Sequence, residues 1–106
     1  MANYLLAYHG GGGMAQDEAA RNALMAQWGK WFQDLGSALV DGGNPVMKAR
    51  TITSKGAVSD GGGQNPVSGY SVIKADSLDA AVKLAKGCPV LAGGGSIEVA
   101  ETVNAM

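Results

Sequence analysis

A single histidine limits the acid–base chemistry that this chain could perform. Histidine is the side chain that changes charge near neutral pH, and His9 is the only one present. It ends an apolar segment and precedes Gly10, a placement typical of groups that face a pocket. Asp60 opens a glycine-rich stretch, residues 60–68, that could fold over the same strand end. We therefore predict His9 and Asp60 as the candidate catalytic pair, in which the carboxylate orients the imidazole.

Both residues also have purely structural interpretations. A histidine beside glycines is often a solvated loop residue, and an aspartate before glycine often bonds its own backbone in an Asx turn. Cys88 cannot close an intramolecular disulfide, and it precedes Pro89 in a turn where a buried packing role is expected. Because Cys88 and His9 are each alone, no zinc-type ligand spacing occurs. Neither a metal nor a cofactor is predicted.

Composition restricts the kinds of partner. The 106 residues are 46% hydrophobic, which suits one domain spanning residues 1–106 with a single core. Eight basic and nine acidic side chains give a net charge of −1, so no basic field attracts nucleic acid or anionic lipid. Three positive charges, on Lys48, Arg50 and Lys55, are too few for a nucleic-acid track. Residues 1–9 resemble neither a signal peptide nor a membrane span, which predicts a cytoplasmic location.

The elements that must position these residues follow from hydrophobic periodicity and turn signals. Residues 3–9 are apolar on both alternating faces, which is typical of a central strand. A helix is predicted over residues 16–35, and Gly29 within it favours close packing of that face. Its apolar stripe consists of Leu24, Trp28, Trp31 and Leu35. Strands are predicted at residues 38–41, 70–74 and 96–103, a hairpin at residues 47–53 and 57–59, and a second helix from an Asp76 or Ser77 cap to Gly87.

This order predicts an α+β, ferredoxin-like fold: a mainly antiparallel sheet with two helices on one face and an inserted hairpin. The opposite face should still carry apolar residues such as Leu5, Ala7 and Val72. A second copy of the chain is the simplest cover for such a face, because a two-fold contact needs only one self-complementary patch. A homodimer is therefore predicted.

Two glycine clusters are expected to be mobile, at residues 10–13 and 61–63. The first lies between a strand and a helix, as phosphate-binding loops do, but no Gly-Lys-Ser/Thr follows it. A hinge or linker is the favoured interpretation, and nucleotide binding is not predicted.

Several segments occur in an order and spacing that resemble those of one known family. They are Tyr4-Leu5-Leu6-Ala7-Tyr8, Ser59-Asp60-Gly61, Ser68-Gly69-Tyr70-Ser71-Val72-Ile73, Leu78-Asp79-Ala80-Ala81, Ala85-Lys86-Gly87-Cys88-Pro89 and Ile97-Glu98-Val99. Over nearly the whole chain they resemble the YCII-related family, in its DGPF-domain branch. The resemblance implies a dimeric α+β barrel with a ligand cleft near the sheet face. On the matching strands, Tyr8 and Tyr70 are the candidate ligand-binding residues.

The chain departs from that family in two places. Gly62 and Gly63 stand where the signature has Pro and Phe, which implies a looser loop without an aromatic wall. Some relatives resemble enzymes that use a His/Asp pair with the histidine on the first helix. The first predicted helix here has no histidine, so that pair is not carried over.

Most members of the family have no assigned reaction, and three functions stay open. One is an acid/base, lyase-like enzyme that uses His9 and Asp60. Another is a non-catalytic dimer that binds a metabolite or a protein partner, including a regulatory interaction module. The third is an aromatic-oxygenating relative on the same fold that needs no metal, which rests on fold analogy alone.

Overall fold

The computed structural model describes residues 1–10 and 17–104, and its main sheet has four strands. These are β1 (Ala2–His9), β2 (Leu39–Asp41), β5 (Val67–Ala75) and β6 (Ser96–Glu101), in the order β2-β5-β1-β6. All three neighbouring pairs are antiparallel. The strands β3 (Arg50–Ile52) and β4 (Val58–Asp60) form a separate two-stranded hairpin. The helices are α1 (Glu18–Leu35), α2 (Leu78–Ala85) and α3 (Pro89–Ala92). The architecture is α+β and compatible with a ferredoxin-like fold.

Strand alternation gives the sheet one covered face and one open face. On β1, Tyr4, Leu6 and Tyr8 are buried, and with residues of β5 they face the helices. The core of this covered face also includes Trp31 and Leu35 of α1. The predicted central position of the first strand is confirmed, because β1 lies between β5 and β6. The core therefore forms between one sheet face and the helices.

The ends of the two longer helices are set by local chemistry. Asp17 caps α1, since its Oδ1 accepts a hydrogen bond of 2.7 Å from the backbone N–H of Ala20. Gly36 follows the helix with a φ of +55°, in the region that favours glycine. Of the two caps considered for α2, Ser77 is the one that acts, accepting from the N–H of Ala80 at 3.1 Å.

The open face of the sheet carries apolar side chains, as the sequence predicts. Leu5 and Val40 are exposed there, and Ala7 and Val72 are half-buried. The β1–β5 register pairs Leu5 directly with Val72, so these two side chains lie side by side. The apolar side chains of β1 therefore pack in the core on one side of the sheet and lie on its open face on the other.

Several predicted details differ from the structure. The helix α3 was not predicted, because a four-residue helix after Cys88 leaves no periodic signal. The strand β5 begins at Val67 instead of residue 70, which shortens the loop to residues 61–66. Gly29 is exposed, with no atom within 4 Å of the position its Cβ would take. The prediction that this helix face packs closely was therefore wrong. Residues 11–13 of the first glycine cluster lie outside the described residues.

Candidate functional site

His9 lies at the carboxyl end of β1, on the open face of the sheet. In the β1–β6 ladder it faces Ser96, and Ala7 faces Glu98. A register shift in the β1–β5 ladder between Tyr8 and His9 pairs His9 with Val67. Because alternate residues share a face, Ala7, His9 and Glu98 lie on the same side of the sheet. The end of β1 thus places an imidazole beside a carboxylate.

The loop that precedes β5 determines the tautomer of His9. Nδ1 of His9 lies 3.0 Å from the backbone carbonyl oxygen of Asn65 and 3.2 Å from that of Pro66. Both oxygens can only accept, so Nδ1 must carry the proton and donate. In the neutral ring, Nε2 then carries a lone pair. The glycine-rich loop does fold over the strand end, as predicted, but it contributes backbone carbonyls from its far end.

The second ring nitrogen of His9 is buried and, in the described part of the chain, unpaired. Nε2 has no hydrogen-bond partner within residues 1–10 and 17–104. Oε1 of Glu98 lies 3.9 Å from Nε2, which is too long for a hydrogen bond. The His9 side chain is 11% exposed, whereas that of Glu98 is 72% exposed. Glu98 is therefore free to move, while the imidazole is held in place.

Asp60 has a different partner from the one predicted. It ends β4 directly opposite Arg50 on β3, and its Oδ1 lies 3.5 Å from Nε of Arg50. Its side chain is 96% exposed. The hairpin ladder holds Asp60 beside Arg50, and the residues that reach His9 come five and six positions later, at Asn65 and Pro66. The expected His9–Asp60 pairing is not formed.

The two candidate ligand-binding tyrosines lie on opposite faces of the sheet. In the β1–β5 ladder Tyr70 faces Ala7 and Tyr8 faces Gly69, so Tyr70 is on the open face and Tyr8 points into the core. The Tyr70 hydroxyl accepts a hydrogen bond of 3.4 Å from Nδ2 of Asn44. One cleft on one sheet face therefore cannot be lined by both tyrosines.

Tyr8 belongs to a buried hydrogen-bonded chain. Its hydroxyl donates to Oγ of Ser71 at 2.7 Å, and that Oγ donates to the carbonyl of Gly42 at 2.7 Å. Trp28 packs on the tyrosine ring edge to face, with ring centroids 5.4 Å apart. Burial raises the pKa of Tyr8 far above its ordinary value, and the nearby Cys88 thiol adds to the increase, although the bond to Ser71 partly opposes it. The Tyr8 hydroxyl therefore stays protonated and acts as a neutral hydrogen-bond donor within the core.

Cys88 is buried, in agreement with the packing role predicted for it. Burial raises the pKa of its thiol, so it remains protonated and unreactive at neutral pH. It borders a shallow groove of about 460 Å³ between α1 and α3. Lys30 and Asp34 of α1 and Leu91 of α3 also line this groove, which lies on the helix side of the molecule, away from His9.

The residues that sequence reasoning missed at the His9 site are Glu98, Asn65 and Pro66. Glu98 had a usable signal: the predicted ferredoxin-like order places the last strand beside the first, which brings an acidic strand residue near His9. The carbonyl groups of Asn65 and Pro66 had none, because any residue type supplies a carbonyl. In the described part of the chain, no three His, Cys, Asp or Glu side chains form a metal-binding group, and none of the helices there is long and apolar enough to cross a membrane.

No protein-family model matches the chain, and no curated protein is significantly similar to it. The resemblance to YCII-related proteins stays a prediction.

Proposed function

We propose that this chain is a small YCII-related protein that acts as a homodimer and binds a small molecule in a cleft at the open sheet face, beside His9. One observation carries the proposal: Nδ1 of His9 donates to loop carbonyls, while Nε2 is buried and has no partner among the described residues. Buried polar atoms in native proteins are usually hydrogen-bonded, so the unpaired Nε2 supports a ligand group at this position.

The site selects the chemistry of its ligand. In the neutral imidazole Nε2 can only accept, so the matching group is a hydroxyl or an N–H. Leu5 and Ala7 precede His9 on the same face of β1, and they offer an apolar surface to the rest of the molecule. The expected ligand is therefore a small molecule with one hydrogen-bond donor and an apolar or aromatic body.

The open face also supports the dimer. Leu5 and Val40 are exposed on it, and Val72 lies beside Leu5. Packing two such faces together removes apolar surface from water and places both His9 residues near the margins of the contact. A closed α+β barrel is the form of this dimer that the family resemblance implies.

A ligand screen tests the proposal. Alcohol, phenol and amide fragments should raise the melting temperature of the protein at pH 7.5, because a ligand of the folded state stabilises it by mass action. Light scattering should give about twice the chain mass of 10.7 kDa. His9→Gln should abolish binding of the fragments found, while Asp60→Asn should leave it intact. Equal binding to the His9→Gln variant, or a monomer at all concentrations tested, would contradict the proposal.

Acid–base catalysis is the second candidate, with a changed pair of residues. The carboxylate near His9 is Glu98, 3.9 Å from Nε2, instead of the predicted Asp60. A lone pair on Nε2 can take a proton from a bound hydroxyl or C–H acid, and Glu98 would stabilise the resulting imidazolium. Product formation from a bound fragment, followed by NMR and lost in both His9→Gln and Glu98→Gln, would favour this candidate.

A further inference from the structure

The hairpin and the residues leading into it form an exposed arm, defined here as residues 47–60. Every residue of the arm is exposed. Local bonds nevertheless give it a definite shape: the N–H of Ala57 donates to Oγ1 of Thr53 at 3.1 Å, and the Thr51 hydroxyl donates to the carbonyl of Gly61 at 2.8 Å. Gly56 has a φ of +90° in the turn. The arm is thus a preformed projection from the domain.

Strand pairing gives the arm two different faces. Ile52 lies directly opposite Val58, and the two form an apolar pair that remains 71% and 58% exposed. The Arg50–Asp60 pair lies on the same face by alternation, whereas the other face carries Thr51 and Ser59. One face of the arm is therefore suited to docking and the other to solvent.

The arm would be more stable with one of its faces packed against another surface. An isolated two-stranded hairpin is marginally stable in water, and it gains stability when one apolar face is packed. The paired apolar side chains Ile52 and Val58 gain nothing from the domain that carries them while they stay exposed. Burial against another surface would stabilise the arm itself.

Charge indicates which surface this is. Lys48, Arg50 and Lys55 against Asp60 give the arm a net charge of +2, while the whole chain has −1, so the remainder carries −3. The arm of one copy is attracted to the body of another, whereas two arms repel each other. The open sheet face offers both exposed apolar side chains, such as Leu5, and the exposed carboxylate of Glu98.

We propose that the arm docks on a second copy of this chain, with Ile52 and Val58 packed at the margin of that copy's open sheet face and the basic side chains toward its carboxylates. The inference rests on the proposed homodimer and adds a specific contact to it. In a two-fold assembly each copy gives one arm and receives one, so the contact forms twice. The loop of residues 61–66, which holds His9, joins the arm to β5, so docking would also restrain the ligand site.

Analytical ultracentrifugation and amide hydrogen exchange together test this contact. The double variant Ile52→Thr, Val58→Thr keeps a high β-propensity but removes apolar surface, and Ser59→Thr on the opposite face is the matched control. We expect the dimer dissociation constant to rise about tenfold or more in the double variant and to stay unchanged in the control. Amides of residues 50–60 should exchange more slowly at protein concentrations where the dimer forms.

The outcomes separate this inference from the proposed function. A stable dimer with rapidly exchanging arm amides and an unaltered dissociation constant in the double variant would overturn the arm contact alone. Protection of the arm at every concentration would also overturn it, since the arm would then rest on its own domain. A wild-type protein that stays monomeric throughout would overturn the proposed homodimer and the arm contact with it.

Discussion

Nε2 of His9 lies 3.9 Å from Oε1 of Glu98, across the β1–β6 ladder, while Nδ1 of the same ring faces two carbonyl oxygens of the loop before β5. The ring therefore has one nitrogen committed to the backbone and one that can change its role. An unprotonated Nε2 accepts a hydrogen bond, whereas a protonated Nε2 donates one, which the carboxylate of Glu98 can accept. The proposed ligand would therefore meet Nε2, because Nδ1 is already bonded to the loop.

Removing Nε2 of His9 should weaken binding of a neutral alcohol or amide fragment to the proposed site. His9→Gln takes away this acceptor, so the hydrogen-bond donor of the ligand loses its partner. We expect the affinity to fall about tenfold or more, measured by isothermal titration calorimetry at pH 7.5.

Asp60→Asn is the matched control for this experiment. Because Asp60 is paired with Arg50 on the arm, its neutralisation should leave the affinity for the fragment unchanged. Loss of affinity in Asp60→Asn, with its retention in His9→Gln, would show that the site lies elsewhere.

The buried chain from Tyr8 through Ser71 to the carbonyl of Gly42 should contribute to stability in a pH-dependent way. Tyr8→Phe removes one hydrogen bond in the core and should lower the free energy of unfolding by about 1 kcal/mol at pH 7. Since burial raises the pKa of Tyr8 in the folded state, its contribution is complete below the unfolded-state pKa of about 10 and is lost as pH rises toward the folded-state value.

Urea denaturation at pH 7 and at about pH 10.5 measures this effect. Wild-type protein should lose stability at the higher pH, and Tyr8→Phe should lose less, so the difference between the two should shrink. Cys88 and Tyr4, whose pKa values are also raised by burial, should keep some alkaline sensitivity in the variant. Tyr70→Phe on the open face is the control. A Tyr8→Phe variant as sensitive to alkali as wild type would refute the assignment.

The sequence predicts the framework of this molecule better than its site. Periodicity identified α1 by its Trp28 and Trp31 stripe, and the apolar character of β1 on both faces indicated its central position. These signals are local and repeat along an element. The position of His9 at a strand end was also readable, because glycine follows it.

The partners of His9 depend on long-range register, which is not encoded locally. Whether Asp60 or Glu98 reaches the imidazole depends on how the hairpin ladder and the β1–β6 ladder are aligned, and a shift of one residue moves a side chain to the other face. The same alternation separates Tyr8 from Tyr70. The carbonyls of Asn65 and Pro66 carry no residue-specific signal at all.

Two glycines should respond to alanine in opposite directions. Gly29 lies within α1 with no atom near its Cβ position, so Gly29→Ala should raise the free energy of unfolding by about 0.5–1 kcal/mol through helix propensity alone. Gly43 has a φ of +71°, and a Cβ there would overlap the carbonyl oxygen of Tyr70. Gly43→Ala should therefore destabilise the protein by roughly 3 kcal/mol or more.

Gly56 separates the two causes of the Gly43 effect. Its φ is +90°, but no atom lies within 4 Å of its Cβ position, so Gly56→Ala should have only the backbone cost of about 1–2 kcal/mol. Gly56 lies in the arm and Gly43 lies beside β5. The free energy of unfolding lost in Gly43→Ala beyond that lost in Gly56→Ala therefore measures how tightly the segment after β2 packs on the sheet. Thermal and urea unfolding of the three variants, all at one protein concentration, provide the comparison. Equal losses in Gly43→Ala and Gly56→Ala would show that the chain beside Tyr70 yields to a methyl group.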